Sequence, residues 1–390
     1  MKNFVIAALM LAISSLGLAA EPSHQQFEQQ IKASVVSLAG KEIASLKVLY
    51  LSGDVGPWMD TGMALNQGDK VTVVLNGKVW LSRTYNLSFE APIAVWMKVA
   101  EAGPIFRAER ETNTFVAQDS GSLKLKNYPG QRWTDPSGKY LGEPAPVNPD
   151  SGGGVSVALI LWSKDANVAE QLQRIASKDA TATWAVAELD RQKSKPRKPP
   201  ADWYYMWELG PSQVYAEVAP QKTNGAPSKA IDLHTHNDVA ILQKDAPFEL
   251  TPDTILQWKW KADKLPAKVS ENSLPTHDYM SIAVEFDNGR DITFFWSHDL
   301  PVGQSFHCPL PGWDHRETHI VARSGEAELG KWISEEKNLT EHYSKAVGGT
   351  MPKRITRVWL IAVSLFQHGE GASQFGEIVL KNGKQDLRIY

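Results

Sequence analysis

Around Leu256 to Pro301 the chain reads LQWKWKADKLPAKVSENSLPTHDYMSIAVEFDNGRDITFFWSHDLP, and this stretch restricts the fold more than any other. It contains three runs rich in Trp, Phe, Ile and Val: Ile255–Ala262, Tyr279–Phe286 and Asp291–Ser297. Such runs form strands, and Asp287-Asn288-Gly289 between the last two is a hairpin signal. Trp258 and Trp260 alternate with Lys259 and Lys261, so the strand has one aromatic and one cationic face. Phe294 and Trp296 share a face while Phe295 points the other way, as in a central strand covered on both sides. The stretch predicts half of an antiparallel sheet.

The rest of the 390-residue chain continues this β texture, with 28 Gly and 23 Pro to make turns and 14 Trp to fill cores or stack on sugars. The formal net charge of -3 gives no reason to expect a nucleic-acid partner. Cys308 is the single cysteine, so no intrachain disulfide can form. Residues 1–20 read as a secretory signal peptide. Lys2 supplies the positive start, Phe4 to Leu18 the apolar run, and Ala19-Ala20 the small residues before the cut. A periplasmic or secreted location is therefore expected, with no membrane span after cleavage. Residues 21–46 place Phe27, Ile31, Val35 and Leu38 at helical spacing and predict a leading helix.

Residues 47–163 predict a β-sandwich of short strands: Val48–Leu51, a strand through Val71, Val73 and Leu75, an Asn76-Gly77 turn into Lys78–Leu81, then Ala94–Val99, Thr114–Ala117, Ser122–Leu125 and Val155–Trp162. The pattern Trp58-x-Asp60-Thr61-Gly62-x-x-Leu65-x-x-Gly68-Asp69-x-Val71-Thr72-Val73, followed by Gly77-x-Val79-Trp80, resembles the galactophilic lectins of the PA-I type. The resemblance implies a jelly-roll or galactose-binding-like sandwich and a sugar ligand. That family holds galactose through calcium on an Asn-Asp pair. The corresponding segment, Lys126 to Asp135, offers only Asn127 and Asp135, too few oxygens for the ion. Calcium is thus unsupported, and no cofactor is expected.

Residues 164–200 change character. Val168, Leu172, Ile175, Trp184, Val186 and Leu189 recur at helical spacing, and Lys193–Pro200 (KSKPRKPP) forms a stiff basic linker. Residues 201–390 then predict a second jelly-roll sandwich. Its motifs are Trp258-Lys259-Trp260-Lys261 with Leu265-Pro266, Asp278-Tyr279, Phe295-Trp296-Ser297 with Leu300-Pro301-Val302-Gly303, Val321-Ala322-Arg323-Ser324-Gly325, Gly330-Lys331-Trp332, and Phe375-Gly376-Glu377-Ile378. In this order they resemble the uncharacterised bacterial family called domain of unknown function 3047, which carries no activity to transfer.

No catalytic motif of high specificity is present. His234-Thr235-His236 would place two imidazoles on one strand face, and His315 and His319 are four apart in a loop-to-strand segment, but neither completes a metal set. His307 neighbours Cys308, yet adjacent side chains on an extended chain point apart. Glu370 and Glu377 are a candidate carboxylate pair for glycosidic chemistry. The candidate ligand-binding set is Trp258, Trp260 and Trp296 as stacking surfaces, with Asp278, His298 and Arg323 as polar rim. The chain reads as an exported, all-β, two-sandwich protein that binds a glycan or polysaccharide. The alternatives are a polysaccharide hydrolase or lyase drawing on Asp278, His298, Arg323 and Glu377, and a structural envelope protein.

Overall fold

Four β-sheets, two in each half of the chain, carry the architecture of the computed structural model, which describes residues 22–36, 42–53, 56–130, 132–141 and 149–390. The expected signal peptide and Leu38 lie outside the described residues. No helix among the described residues is long and apolar enough to cross a membrane.

The first half comprises helix α1 (His24–Val36), strands β1 (Ile43–Ser52), β2 (Met59–Leu65), β3 (Lys70–Ser82) and β4 (Leu87–Glu90), a short helix α2 (Ala91–Ala94), then β5 (Val95–Val99), β6 (Phe106–Arg107), β7 (Thr112–Val116), β8 (Gly121–Asn127) and β9 (Gly152–Trp162). One sheet has the order β1-β9-β3-β4 with β7 also on β3, and the other β2-β8-β5-β6. Their facing apolar residues, among them Val71, Val73, Val95, Met97, Leu123, Leu125, Val157 and Leu159, form one core. Helices α1, α3 (Val168–Lys178) and α4 (Thr183–Lys193) cover the outer side of the first sheet, where Phe27, Ile31 and Leu172 meet Val74, Ile160 and Trp162. The helical connector is therefore packed on the first sandwich. Asn167 caps α3 by accepting from the Glu170 amide.

Asn76-Gly77 makes no turn. The ladder with β9 continues through Asn76↔Ser156 and Gly77↔Val155 without a shift. Gly77 has φ 113, and a Cβ there would stand 2.5 Å from the Gly154 carbonyl oxygen. The glycine permits close approach of two backbones inside a long strand.

The second half comprises β10 (Tyr204–Tyr205), β11 (Tyr215–Val218), β12 (Ala230–His236), β13 (Val239–Glu249), β14 (Ile255–Lys264), β15 (Tyr279–Phe286), β16 (Asp291–Ser297), β17 (Ser305–His307), β18 (Glu317–Ser324), β19 (Ile333–Asn338), β20 (Arg354–Val363), β21 (Glu370–Asn382) and β22 (Gln385–Arg388). They form a seven-stranded sheet, β10-β13-β20-β15-β16-β18-β17, and a six-stranded sheet, β11-β12-β21-β14-β19 with β22 on β21. Gly289 closes the β15–β16 hairpin at φ 76. Trp258, Trp260, Phe294, Trp296 and Phe375 interlock between the sheets.

One pairing departs from the antiparallel expectation. β18 runs parallel to β16 in the register Asp291↔Glu317 and Thr293↔His319, while β17 adds antiparallel at the edge. The crossover 298–316 needed for that pairing folds over the outer face of the seven-stranded sheet. The same face meets the first sandwich through Leu87 and Ile93. There Arg107 Nε donates to the Leu209 carbonyl (2.8 Å) and Gln213 Nε2 to Glu109 Oε2 (3.0 Å).

Candidate functional site

The sandwich brings the three predicted tryptophans together, but inside the core. Trp258, Trp260 and Trp296 are 1%, 2% and 2% exposed, so the expected stacking surface is core. An indole must be uncovered to stack on a sugar ring, and burying three of them is what holds the two sheets together. Asp278 is fully buried and accepts from the amides of Phe366 and Gln367, both at 2.8 Å. Burial outweighs those two bonds and pushes its carboxyl up to about 6. His298 donates its backbone amide to Glu271 Oε1 (2.5 Å). Arg323 joins Glu335 (2.6 Å) and Glu328 (3.0 Å), fastening β18 of one sheet to β19 of the other. Asp278 and Arg323 are thus engaged within the scaffold.

The other sequence candidates separate. His234 and His236 are exposed, and His234 Nε2 lies 2.6 Å from Glu370 Oε1. Glu370 and Glu377 stand seven residues apart on one strand, roughly 20 Å, which is too far for paired glycosidic carboxylates. In the segment 126–135, Asn127 Nδ2 donates to the Ser52 carbonyl and Asp135 Oδ1 accepts from Ser137. The buried Lys126 ammonium donates to the Gly56 carbonyl and sits 3.7 Å from the centre of the Tyr140 ring.

Two arrangements among the described residues stand out for chemistry or binding. The first is an open groove of about 660 Å³ on the outer face of the six-stranded sheet. Side chains alternate along a strand, so burial of Trp258 and Trp260 turns Gln257 and Lys259 outward. Glu336 from β19 and Glu377 and Lys381 from β21 flank them, with Arg388 beyond. Gln257 Nε2 donates to Glu336 Oε2, and Lys259 pairs with Glu377 at 2.8 Å. Glu377 has φ 48, at the point where the β14–β21 register shifts between Gln257 and Lys259. That bulge carries a cost in backbone strain and re-aims the carboxylate into the groove. A smaller hollow of about 200 Å³ shares Ser228, Glu377 and Arg388 and adds the Tyr390 ring.

The second is a polar cluster buried on the outer face of the seven-stranded sheet. His277, Cys308, Glu317 and His319 present one ligand atom each within 4.8 Å of one another. Glu317 and His319 share a face of β18, two residues apart. His277 precedes β15, and Cys308 follows β17 within the crossover. His277 Nδ1 lies 2.8 Å from the Glu271 carbonyl oxygen, which can only accept, so Nδ1 carries the proton and Nε2 faces Cys308 Sγ at 3.4 Å. Burial pushes His277 down to about 3 and the Cys308 thiol up. Glu317 Oε1 accepts from Thr293 Oγ1 (3.1 Å) and Tyr279 Oη (3.3 Å), leaving Oε2 toward His319 Nε2 at 3.5 Å. Burial acts to raise Glu317, but His319 and then His277 outweigh it and hold the carboxylate low. Burial and then the neighbouring Glu317 push the Asp291 carboxyl up, and its Oδ1 lies 3.0 Å from Thr293 Oγ1. Neither ring nitrogen of His319 makes a hydrogen bond, although the residue is fully buried between Phe306 and Tyr279.

Sequence reasoning missed this cluster. Its four members are spread from 277 to 319 without a metal-motif spacing, and only the parallel crossover unites them. The one signal available was Glu317-Thr318-His319, which puts two polar groups on one face of a buried strand.

These features define a two-sandwich β protein with a polar groove on one outer face and a buried polar cluster under the other. Residues 220–379, the body of the second sandwich, match the model of a family described as a protein of unknown function (DUF3047). No curated protein matches the chain. Among solved structures, the chain is similar to TmCBM61 in complex with beta-1,4-galactotriose, with 9% identity over 47% of this chain and 90% of that one, TM-score 0.24. It is similar to the xyloglucanase domain of NopAA, a type three effector from Sinorhizobium fredii, in complex with cellobiose: 8% identity, 43% of this chain, 92% of that one, TM-score 0.26. It is also similar to a carbohydrate-binding module of the β-sandwich superfamily: 10% identity, 87% of this chain, 100% of that one, TM-score 0.22. Those ligands belong to those proteins. The groove and the buried cluster of this chain stand on their own geometry.

Proposed function

We propose that the protein is an exported carbohydrate-binding protein and that its glycan lies in the groove across β19, β14, β21 and β22. The observation that carries this reading is the groove itself: about 660 Å³, open, and floored by outward Gln257, Lys259, Glu336, Glu377 and Lys381. A polyhydroxylated ligand needs donors and acceptors interleaved at short range, and this row supplies both. The Tyr390 ring at the adjoining hollow offers an apolar face to a sugar. The signal-peptide-like start and the lectin-like motif of the first sandwich accord with a surface or environmental glycan.

The test is a glycan array probed with the purified chain and with Glu336→Ala and Lys381→Ala. Binding to a defined glycan class, weakened at least tenfold by either change with the fold intact, is expected. Undiminished binding by both variants would place the site elsewhere, and an array without any bound glycan would remove the reading.

A second reading has one observation in its favour. Glu336 and Glu377 lie on strands either side of β14 and face one groove, two strand spacings or roughly 9.5 Å apart, at the upper limit for an inverting carboxylate pair. Release of reducing ends from an array-positive polysaccharide, abolished in Glu336→Gln, would support hydrolysis. Intact polysaccharide after prolonged incubation would leave binding alone.

A further inference from the structure

We propose that His277 Nε2, Cys308 Sγ, Glu317 Oε2 and His319 Nε2 form a closed, structural site for one zinc-class divalent ion, which fastens the crossover 298–316 to the seven-stranded sheet. The donor set is two imidazoles, one thiolate and one carboxylate, the borderline mixture that suits Zn²⁺ and its spectroscopic substitute Co²⁺.

Geometry supports the assignment first. A tetrahedral zinc centre with ordinary bond lengths separates its ligand atoms by roughly 3.3–3.7 Å. Two of the edges here already match, at 3.4 Å for Cys308 to His277 and 3.5 Å for Glu317 to His319. All four atoms lie within 4.8 Å of one another, so modest contraction closes the remainder.

The surrounding bonds are those a metal site needs. The backbone carbonyl of Glu271 fixes the His277 proton on Nδ1, leaving the Nε2 lone pair directed inward. Thr293 and Tyr279 hold one oxygen of Glu317 and leave the other free to ligate. His319 is the second, independent sign. A fully buried imidazole without a hydrogen bond at either nitrogen is costly, and coordination through Nε2 supplies one of the two missing partners.

Charge balance points the same way. Binding displaces the Cys308 thiol proton to water, so a thiolate, a carboxylate and a dication sum to zero. The neutral set then sits among Phe295, Phe306 and Phe366 without an uncompensated charge. All four ligand positions come from protein, which leaves none for a substrate or water. The ion is accordingly structural, not catalytic.

The experiment uses the untagged full chain, unfolded, stripped with chelator and refolded with Co²⁺ or Zn²⁺, so that burial of the site cannot block entry. One equivalent of Co²⁺ should bind and give the visible bands of a tetrahedral centre plus a thiolate-to-cobalt charge-transfer band. Zn²⁺ should displace it and raise the melting temperature. Cys308→Ser should lose the charge-transfer band, whereas His307→Ala, on the exposed neighbour, should keep it. Should Cys308→Ser fail to fold, alkylation of the wild-type thiol during refolding, slowed by Zn²⁺ relative to chelator, reads the same ligation. Refolding without metal uptake, or cobalt spectra that lack a thiolate band, would overturn the proposal. Neither outcome bears on the groove, which lies on the other sheet.

Discussion

Cys308 Sγ lies 3.4 Å from His277 Nε2, although 31 residues separate them, while the adjacent His307 is turned outward. The parallel entry of β18 between β16 and β17 causes this. It draws the crossover across the sheet and lays Cys308 over residues that an all-antiparallel meander would leave on a solvated face.

The tryptophans of the second sandwich serve stability. Trp260 touches Trp258, Trp296 and Phe375 with ring centres 5.3–5.8 Å apart. Trp260→Ala should cost about 3–5 kcal/mol through lost burial and the cavity left behind. Urea denaturation followed by tryptophan fluorescence checks this. A loss below about 1 kcal/mol would mean that the ring is not core.

Asp278 makes stability depend on pH with a defined sign. Its folded-state carboxyl, at about 6, lies above its unfolded value, so the native state holds the extra proton in the window between them. Stability from this group therefore rises as pH falls through about 6 toward about 4, and is lost as pH climbs back. Wild type minus Asp278→Asn should gain about 1 kcal/mol between about pH 7.5 and about pH 5 in chemical denaturation. Parallel pH profiles for the two proteins would contradict the assignment.

Arg323 joins the sheets at their edge. Removing it leaves Glu335 with Lys337 at 3.1 Å as its remaining partner. Arg323→Ala should therefore cost only about 1–2 kcal/mol, less than a fully orphaned buried carboxylate, because the Arg323 side chain is partly solvated. Glycan binding should be unchanged. A variant that folds normally but loses its glycan would return Arg323 to the binding site.

Residues 193–196 of the basic segment are exposed, ahead of half-buried Arg197 with its bonds to Val214 and Asp232, and are the expected site of limited proteolysis. Each half has its own pair of sheets, so cleavage there should leave both folded. The buried contact through Leu87, Ile93 and Arg107 should also keep the fragments together in gel filtration. Separate elution would show that contact to be weak, and unfolding of either fragment would show that the halves depend on each other.

Much of the architecture was legible in the sequence. Tyr279–Phe286 and Asp291–Ser297 alternate strongly and form strands with those bounds, because local pattern and tertiary burial agree there. Trp258 and Trp260 announced a shared face, but periodicity gives a face and not its neighbour. Whether an indole meets solvent or a second sheet is settled by long-range packing. Asn76-Gly77 misled for a related reason: glycine at positive φ serves both a hairpin turn and a close backbone approach, and only the Gly154 strand beside it decides. Of the His277–His319 cluster only the Glu317-Thr318-His319 alternation was legible, since the rest of its geometry comes from strand order.

The groove is tested most directly by hydrogen–deuterium exchange of the full chain with and without the tightest-binding oligosaccharide from the array. Bound glycan should slow exchange at residues 255–261, 333–338 and 376–381, where β14, β19 and β21 floor the groove. Strands of the first sandwich should exchange as before. Protection confined to residues 43–162, with none across β14, β19 and β21, would contradict the account and move glycan recognition to the first sandwich.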